Sequence, residues 1–208
     1  TWHIMNDKID EGEIVYQQSL PIHPNDTVLT LNLRCYENAI SSFTQMIKLI
    51  EAGLLAPRKQ VLDRRSYFAA NHHLPCFGFI DWRLFSAKTI ERITRALSIQ
   101  KYSNHVGTLK LLADRDYAIV SQVELVSAPN TAENKLGTIL AIEENGLVVS
   151  TVGQPIKFVE LLSLAGEPIS IKDWVNSHGL QVGQVLPYYR VKDIEAQRKY
   201  HKIGRAHV

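Results

Sequence analysis

Side chains able to move protons or bind metal gather at two places in this 208-residue chain. The first is the opening run TWHIMNDKIDEGEI, in which an imidazole (His3) precedes four carboxylates (Asp7, Asp10, Glu11 and Glu13). Imidazoles and carboxylates are common general acids and bases, so the run is a candidate for proton-transfer chemistry. Its composition also has a plainer account. Asp10-Glu11-Gly12 suits a hairpin turn, Asp7 and Glu11 suit solvated loop positions, and a single histidine such as His3 can serve structure. The second place is Asn71-His72-His73-Leu74-Pro75-Cys76. Adjacent histidines lack the i, i+4 spacing of a helical zinc pair and only one cysteine accompanies them, so no metal site is expected there.

The elements that must hold these residues are readable from periodicity. Residues 3–5 (HIM) and 13–22 (EIVYQQSLPI) read as short strands, with the turn formers NDKIDEG between them. Pro24-Asn25-Asp26-Thr27 opens a long helix to about Ala52, capped by Asp26 or Thr27 and stopped by Gly53. Ile40, Phe43, Ile47 and Ile50 recur at helical spacing and are expected to form its buried stripe. Residues 54–80 carry Pro57, Pro75, Gly78 and the basic cluster Arg58, Lys59, Arg64 and Arg65. They read as an extended, solvated connection with little core of its own. Asp81-Trp82 reads as structural, the indole packing between domains and the carboxylate capping or pairing with an arginine. A second helix is expected over 86–97, capped by Ser86, with Ile90, Ile93 and Leu97 along one face.

The remainder is β-rich. Strands are expected over 116–128, 156–164 and 183–187, and a hairpin over 137–153 around a type I′ turn at Asn145-Gly146. Ser170 caps a short helix, with Asp173 three residues on and Gly179 at its end. Several short strands with one small helix predict a compact OB-like barrel.

Bulk composition narrows the class. Hydrophobic residues make up 45% and charged residues 21%, ordinary for a globular chain. No apolar run reaches 18 residues, so no membrane span is expected. Two cysteines, Cys35 and Cys76, make no disulfide framework, and a cytoplasmic location is expected. The net charge of +2 is uneven: residues 100–187 carry −3 and the last 21 carry +4. No basic folded surface follows from that distribution. The start at Thr1, in mid-strand and without Met, predicts an N-terminally truncated fragment. Residues 188–208 read as a tail or linker. The final IGRAHV resembles a translated sequencing adapter, so the protein's own sequence is expected to stop near Lys202.

The opening run resembles the late catalytic motif of 10-formyltetrahydrofolate-dependent formyltransferases, in which a His-bearing strand enters a loop ending in Asp, then Gly, then a strand with Gln. Here those features are His3, the loop at residues 6–10, Gly12, and Gln17 or Gln18, with Asp26-Thr27 opening the next helix. IDWRLFSAKTIERITRAL resembles the helix leading into the C-terminal domain of methionyl-tRNA and sugar-amine formyltransferases. GTILAIEENGLVVSTVGQPIKFVELLSLAGEPIS and HGLQVGQVL resemble that domain itself. The resemblance spans about residues 1–186. It implies an α/β fragment, the C-terminal part of a Rossmann-like catalytic domain (residues 1–53), then a linker (54–85), then a helix plus an OB-like barrel (86–187).

It also implies a site. Asp10 is expected to be the catalytic carboxylate and His3 to support it. Asn6, Asp7, Lys8, Ile9 and Asp10 are expected to wall the pocket for the co-substrate 10-formyltetrahydrofolate. The family's other catalytic Asn and His lie in a segment absent from these residues, so the chain alone is expected to be inactive. The amine acceptor is expected on tRNA, a sugar nucleotide or a carrier protein. An acidic 100–187 region counts against tRNA. RALSIQKYSNHVGTLKLL resembles stretches of formyltransferase domains in nonribosomal peptide and polyketide synthases, and VLPYYRVKDIEAQRKYHK reads as a linker into a further synthase domain. A non-catalytic binding module is the alternative of a different class.

Overall fold

The computed structural model describes residues 1–68, 73–99, 106–127 and 135–189. The chain divides into two compact units, Thr1–His72 and His73–Val208. Asn71, His72, the 188–208 tail from residue 190 onward, the IGRAHV end, and residues 100–105 of the RALSIQKYSNHVGTLKLL stretch lie outside the described residues.

In the first unit, β1 (Trp2–His3) pairs antiparallel with β2 (Ile14–Tyr16), and α1 spans Val28–Glu51. Thr27 is the helix cap. Its side chain accepts from the Thr30 backbone N–H at 3.2 Å, while Thr30 Oγ1 accepts from the Thr27 N–H at 3.0 Å, so two otherwise orphaned donors are met reciprocally. Asp26 does different work: its carboxylate accepts from the His23 backbone N–H at 2.7 Å and pairs with Arg34 in the second turn of the helix. The His23 bond, helped by Thr30 and Arg34, outweighs desolvation and holds the Asp26 carboxyl below its usual range.

The expected buried stripe of α1 is not buried. Ile40 is 73% exposed, Phe43 45% and Ile50 48%, and Ile47 is half-buried. The face that is covered carries Ser42 and Met46 instead, because Trp2 of β1 lies there: its indole N–H donates to Ser42 Oγ at 3.0 Å and its ring meets Phe43 at 5.2 Å. Periodicity picks out an apolar face, but in this unit the covered positions are Ser42 and Met46 beside it.

The second unit holds the core. Its sheet is antiparallel and six-stranded, in the order β3-β4-β7-β6-β5, with β8 on β7. The strands are β3 (Lys110–Ala113), β4 (Asp116–Leu125), β5 (Ile139–Glu143), β6 (Gly146–Val149), β7 (Ile156–Leu162) and β8 (Pro168–Ile169). The helices α2 (Ala87–Leu97) and α3 (Ile171–Ser177) are capped by Ser86 and Ser170 as expected. Residues 183–187 make no strand; Val185 forms a single bridge to Thr138.

Two expectations fail in instructive ways. Glu143 pairs with Gly146, so the β5–β6 turn is centred on Glu144-Asn145, and neither has a positive φ; the expected type I′ turn is absent. Gly146 instead leaves room for the Lys157 side chain on β7, whose Cε would lie 2.2 Å from a Cβ there. The second failure concerns residues 54–80, read as a bare connection. Cys76 and Ile80, together with Trp82 and Phe85 just beyond, lie in the core with Leu111, Leu147 and Phe158.

Asp81, fully buried, pairs with Arg83: the guanidinium donates from Nε at 3.0 Å and Nη2 at 2.7 Å, and the Arg83 backbone N–H adds a bond at 3.0 Å. Burial pushes the Asp81 carboxyl upward, but the Arg83 hydrogen bonds and charge more than offset this and hold it below its usual value. A carboxyl depressed on folding stabilises the fold above its unfolded pKa, and that stability is lost as pH falls through the lower, folded value. Thermal unfolding of the wild type therefore steepens its decline below about pH 4, an order set by the ordinary Asp pKa. Asp81→Asn is less stable at pH 7 and shows a flatter acid limb; parallel limbs would refute the coupling.

No helix among the described residues is long and apolar enough to cross a membrane.

Candidate active site

The loop between β1 and β2 is built to bring its ends together. The Ile4 N–H donates to Glu13 O at 2.9 Å, closing the ribbon, and Gly12 packs so tightly on β1 that a Cβ would sit 1.6 Å from Ile4 O. Only glycine fits there. Asn6 shapes the first half of the loop, its Oδ1 accepting from the Lys8 N–H at 3.0 Å. Asp10 shapes the second half with a left-handed backbone, φ 56°. Non-glycine residues rarely adopt this conformation, and Asp is among the few that tolerate it; such positions concentrate at functional sites.

This geometry brings His3 and Asp10 together. His3 Nε2 lies 3.6 Å from Asp10 Oδ1, while His3 Nδ1 lies 3.1 Å from the Ile4 carbonyl. When Nδ1 donates to that carbonyl, Nε2 is the ring nitrogen that faces the carboxylate. His3 is 30% exposed and Asp10 85% exposed, so the carboxylate faces solvent. Asp7, Lys8 and Ile9 are exposed beside it, Ile9 at 86%.

Glu11 is not the solvated loop charge that its sequence context suggests. It is 20% exposed and accepts from Arg65 Nη1 at 2.7 Å, with Lys8 Nζ at 3.7 Å. Nor are Arg58 and Arg65 an idle linker. Arg58 pairs with Ile14 through two backbone bonds (2.9 and 3.0 Å) and donates to Gln17 Oε1 at 2.6 Å. Gln60 Nε2 donates to Asp10 O at 2.9 Å and to Gly12 O at 2.6 Å. Gln60 and Arg65 have no local signal in the sequence; their roles arise from contacts across 48 to 54 residues.

A cavity of about 230 Å³ in the same unit is lined by Thr1, Trp2, Gln18, Leu20, Cys35, Asn38, Ala39 and Ser42, none of them in the loop. Among the described residues no cluster of three His, Cys, Asp or Glu side chains could hold a metal; His73 instead stacks near Phe77 at 5.2 Å, and Cys76 is buried.

Comparison with known proteins gives a consistent picture. Residues 75–179 match the family described as "Formyl transferase, C-terminal domain". The chain is 28% identical over 182 residues to the methionyl-tRNA formyltransferase of Caldicellulosiruptor saccharolyticus, covering 88% of this chain and 55% of that protein. It spans about half the length of the curated relatives it matches. Among solved structures, HypX from Aquifex aeolicus in complex with tetrahydrofolic acid aligns with a TM-score of 0.53 at 13% identity, over 89% of this chain and 32% of that one. WlaRD, a sugar 3N-formyl transferase, aligns with a TM-score of 0.50 at 22% identity, over 74% and 52%. Likeness at these identities shows a shared fold.

Proposed function

The chain belongs to the formyl transferase family, and from that premise we propose that it contributes Asp10 and its loop to transfer of a formyl group from 10-formyltetrahydrofolate to a primary amine. The observation that supports this most is the Asp10 carboxylate, set on a left-handed backbone and facing His3 Nε2. Exposed Met5 (89%) precedes the polar backbone of residues 6–10 and exposed Ile9 (86%) lies within it, a donor, acceptor and apolar set suited to a flat, polar-edged heterocycle such as a pterin. Asn6, Asp7, Lys8, Ile9 and Asp10 would hold that ring.

Bound there, 10-formyltetrahydrofolate supplies the formyl carbon, whose bond to the folate nitrogen breaks as its bond to the acceptor nitrogen forms. The acceptor nitrogen must shed one proton, and the departing folate nitrogen must gain one. Asp10 serves that exchange by holding His3, or a water in its place, in line for the transfer and by stabilising the cation formed on the carrier.

On this reading residues 1–53 complete a Rossmann-like catalytic domain, 54–85 connect it onward, and 86–187 form an OB-like barrel by closure of the antiparallel sheet. Catalysis then needs the family's further Asn and His, so the 208-residue chain by itself is inactive. The names of the curated relatives favour methionyl-tRNA as acceptor, whereas the net −3 of residues 100–187 favours a less anionic carrier, a sugar nucleotide or a carrier-bound aminoacyl group in a peptide synthase. A binding module without catalysis is the second class. The test offers labelled formyl-tetrahydrofolate with each acceptor to the complete gene product. Label in one amine product is expected, and label in none refutes the reading.

A further inference from the structure

We infer that Gln60 is the positioning residue for the Asp10 carboxylate, an inference that rests on the function proposed for that loop. The register delivers it there. Arg58 and Ile14 exchange backbone hydrogen bonds as antiparallel partners, so two residues farther along one strand, Gln60 stands opposite Gly12. At that point the backbone ladder does not continue, and the Gln60 side chain replaces it. Its amide group donates one hydrogen bond to Asp10 O at 2.9 Å and one to Gly12 O at 2.6 Å.

Two donors on one nitrogen thus fix the carbonyls on either side of Glu11, and the peptide planes that carry them. At its base the loop closes on itself, through the Ile4–Glu13 bond and the Gly12 contact with Ile4 O. Asp10 lies within this loop with φ 56°, a backbone that relaxes readily toward negative φ when unsupported. Such relaxation swings the carboxylate away from His3 Nε2. Gln60 itself reaches only carbonyl oxygens and need not touch substrate, so its effect is on the placement of Asp10, not on the chemistry directly.

The test compares Gln60→Leu, which keeps bulk and removes both donors, with Thr27→Ala, which weakens the α1 cap in the same unit and leaves the loop alone. In the 208-residue chain, Gln60→Leu is expected to speed exchange of the Ile4 amide about tenfold, and Thr27→Ala to leave it unchanged. In the complete gene product, Gln60→Leu is expected to lower kcat for formyl transfer about 10- to 100-fold with KM within about threefold, the cost of a misplaced catalytic group. Unchanged Ile4 exchange in Gln60→Leu, a kcat within twofold of wild type, or an equal kcat loss in Thr27→Ala overturns the inference. Absence of transfer in the wild type refutes the proposed function instead, and the exchange comparison still decides whether Gln60 holds the loop.

Discussion

Asp10→Asn in the complete gene product lowers kcat for formyl transfer about a thousandfold, within the range typical of a positioned general acid–base group, and leaves KM for the amine within about threefold. Asn is the informative replacement. Asp and Asn both tolerate a left-handed backbone, so the loop at φ 56° is preserved and only the charge is removed. Ala at the same position would add backbone strain and confuse the two effects. A neutral amide facing His3 Nε2 cannot stabilise an imidazolium 3.6 Å away, and that loss falls on the step in which a proton moves. Steady-state kinetics with unchanged Ile4 amide exchange would isolate the chemical effect. A kcat within fivefold of wild type would assign Asp10 to the turn alone.

The second large effect is on stability. Trp82→Ala is expected to cost the second unit about 3–5 kcal/mol, as large-to-small changes in a packed core do. Trp82 is 1% exposed, meets Phe158 edge-on with ring centroids 6.2 Å apart, and roofs Gly137, where a Cβ would come within 2.6 Å of the indole. Its indole N–H has no hydrogen-bond partner among the described residues. Trp82→Phe therefore forfeits bulk but no hydrogen bond, and it costs less than Trp82→Ala because it leaves the smaller cavity. Urea unfolding of the two variants checks this. Equal losses in Phe and Ala would mean that the indole edge makes a bond the packing does not reveal.

The sequence was most informative where local chemistry decides the outcome. Ser86 and Ser170 cap their helices because a free hydroxyl at that position satisfies orphaned N–H groups whatever the tertiary setting. The β-rich second half showed as apolar runs because its sheet is packed on a shared core, and the formyl transferase motifs in it are strong enough to recognise. Reading failed where distance decides. The α1 stripe was legible as apolar, yet which face is covered depends on Trp2, whose partner Ser42 lies 40 residues away and outside that stripe. Asn145-Gly146 carries the composition of a type I′ turn, but the β5–β6 register places it one residue off, and Gly146 answers to Lys157 instead. At the site, His3 and Asp10 stood out through the resemblance of the opening run to the formyltransferase motif. Gln60 and Arg65 did not, because a polar side chain in a proline-bearing stretch looks solvated until a strand pairing such as Arg58 with Ile14 sets it against the loop.

The most direct measurement is a titration of the complete gene product with 5-formyltetrahydrofolate, a stable folate that cannot transfer its group, followed by backbone amide chemical shifts. Shifts centred on residues 6–12, with Asp10 among the largest and α3 silent, are predicted. Saturable binding whose shifts leave residues 6–12 unmoved would contradict the placement of Asp10 at the folate.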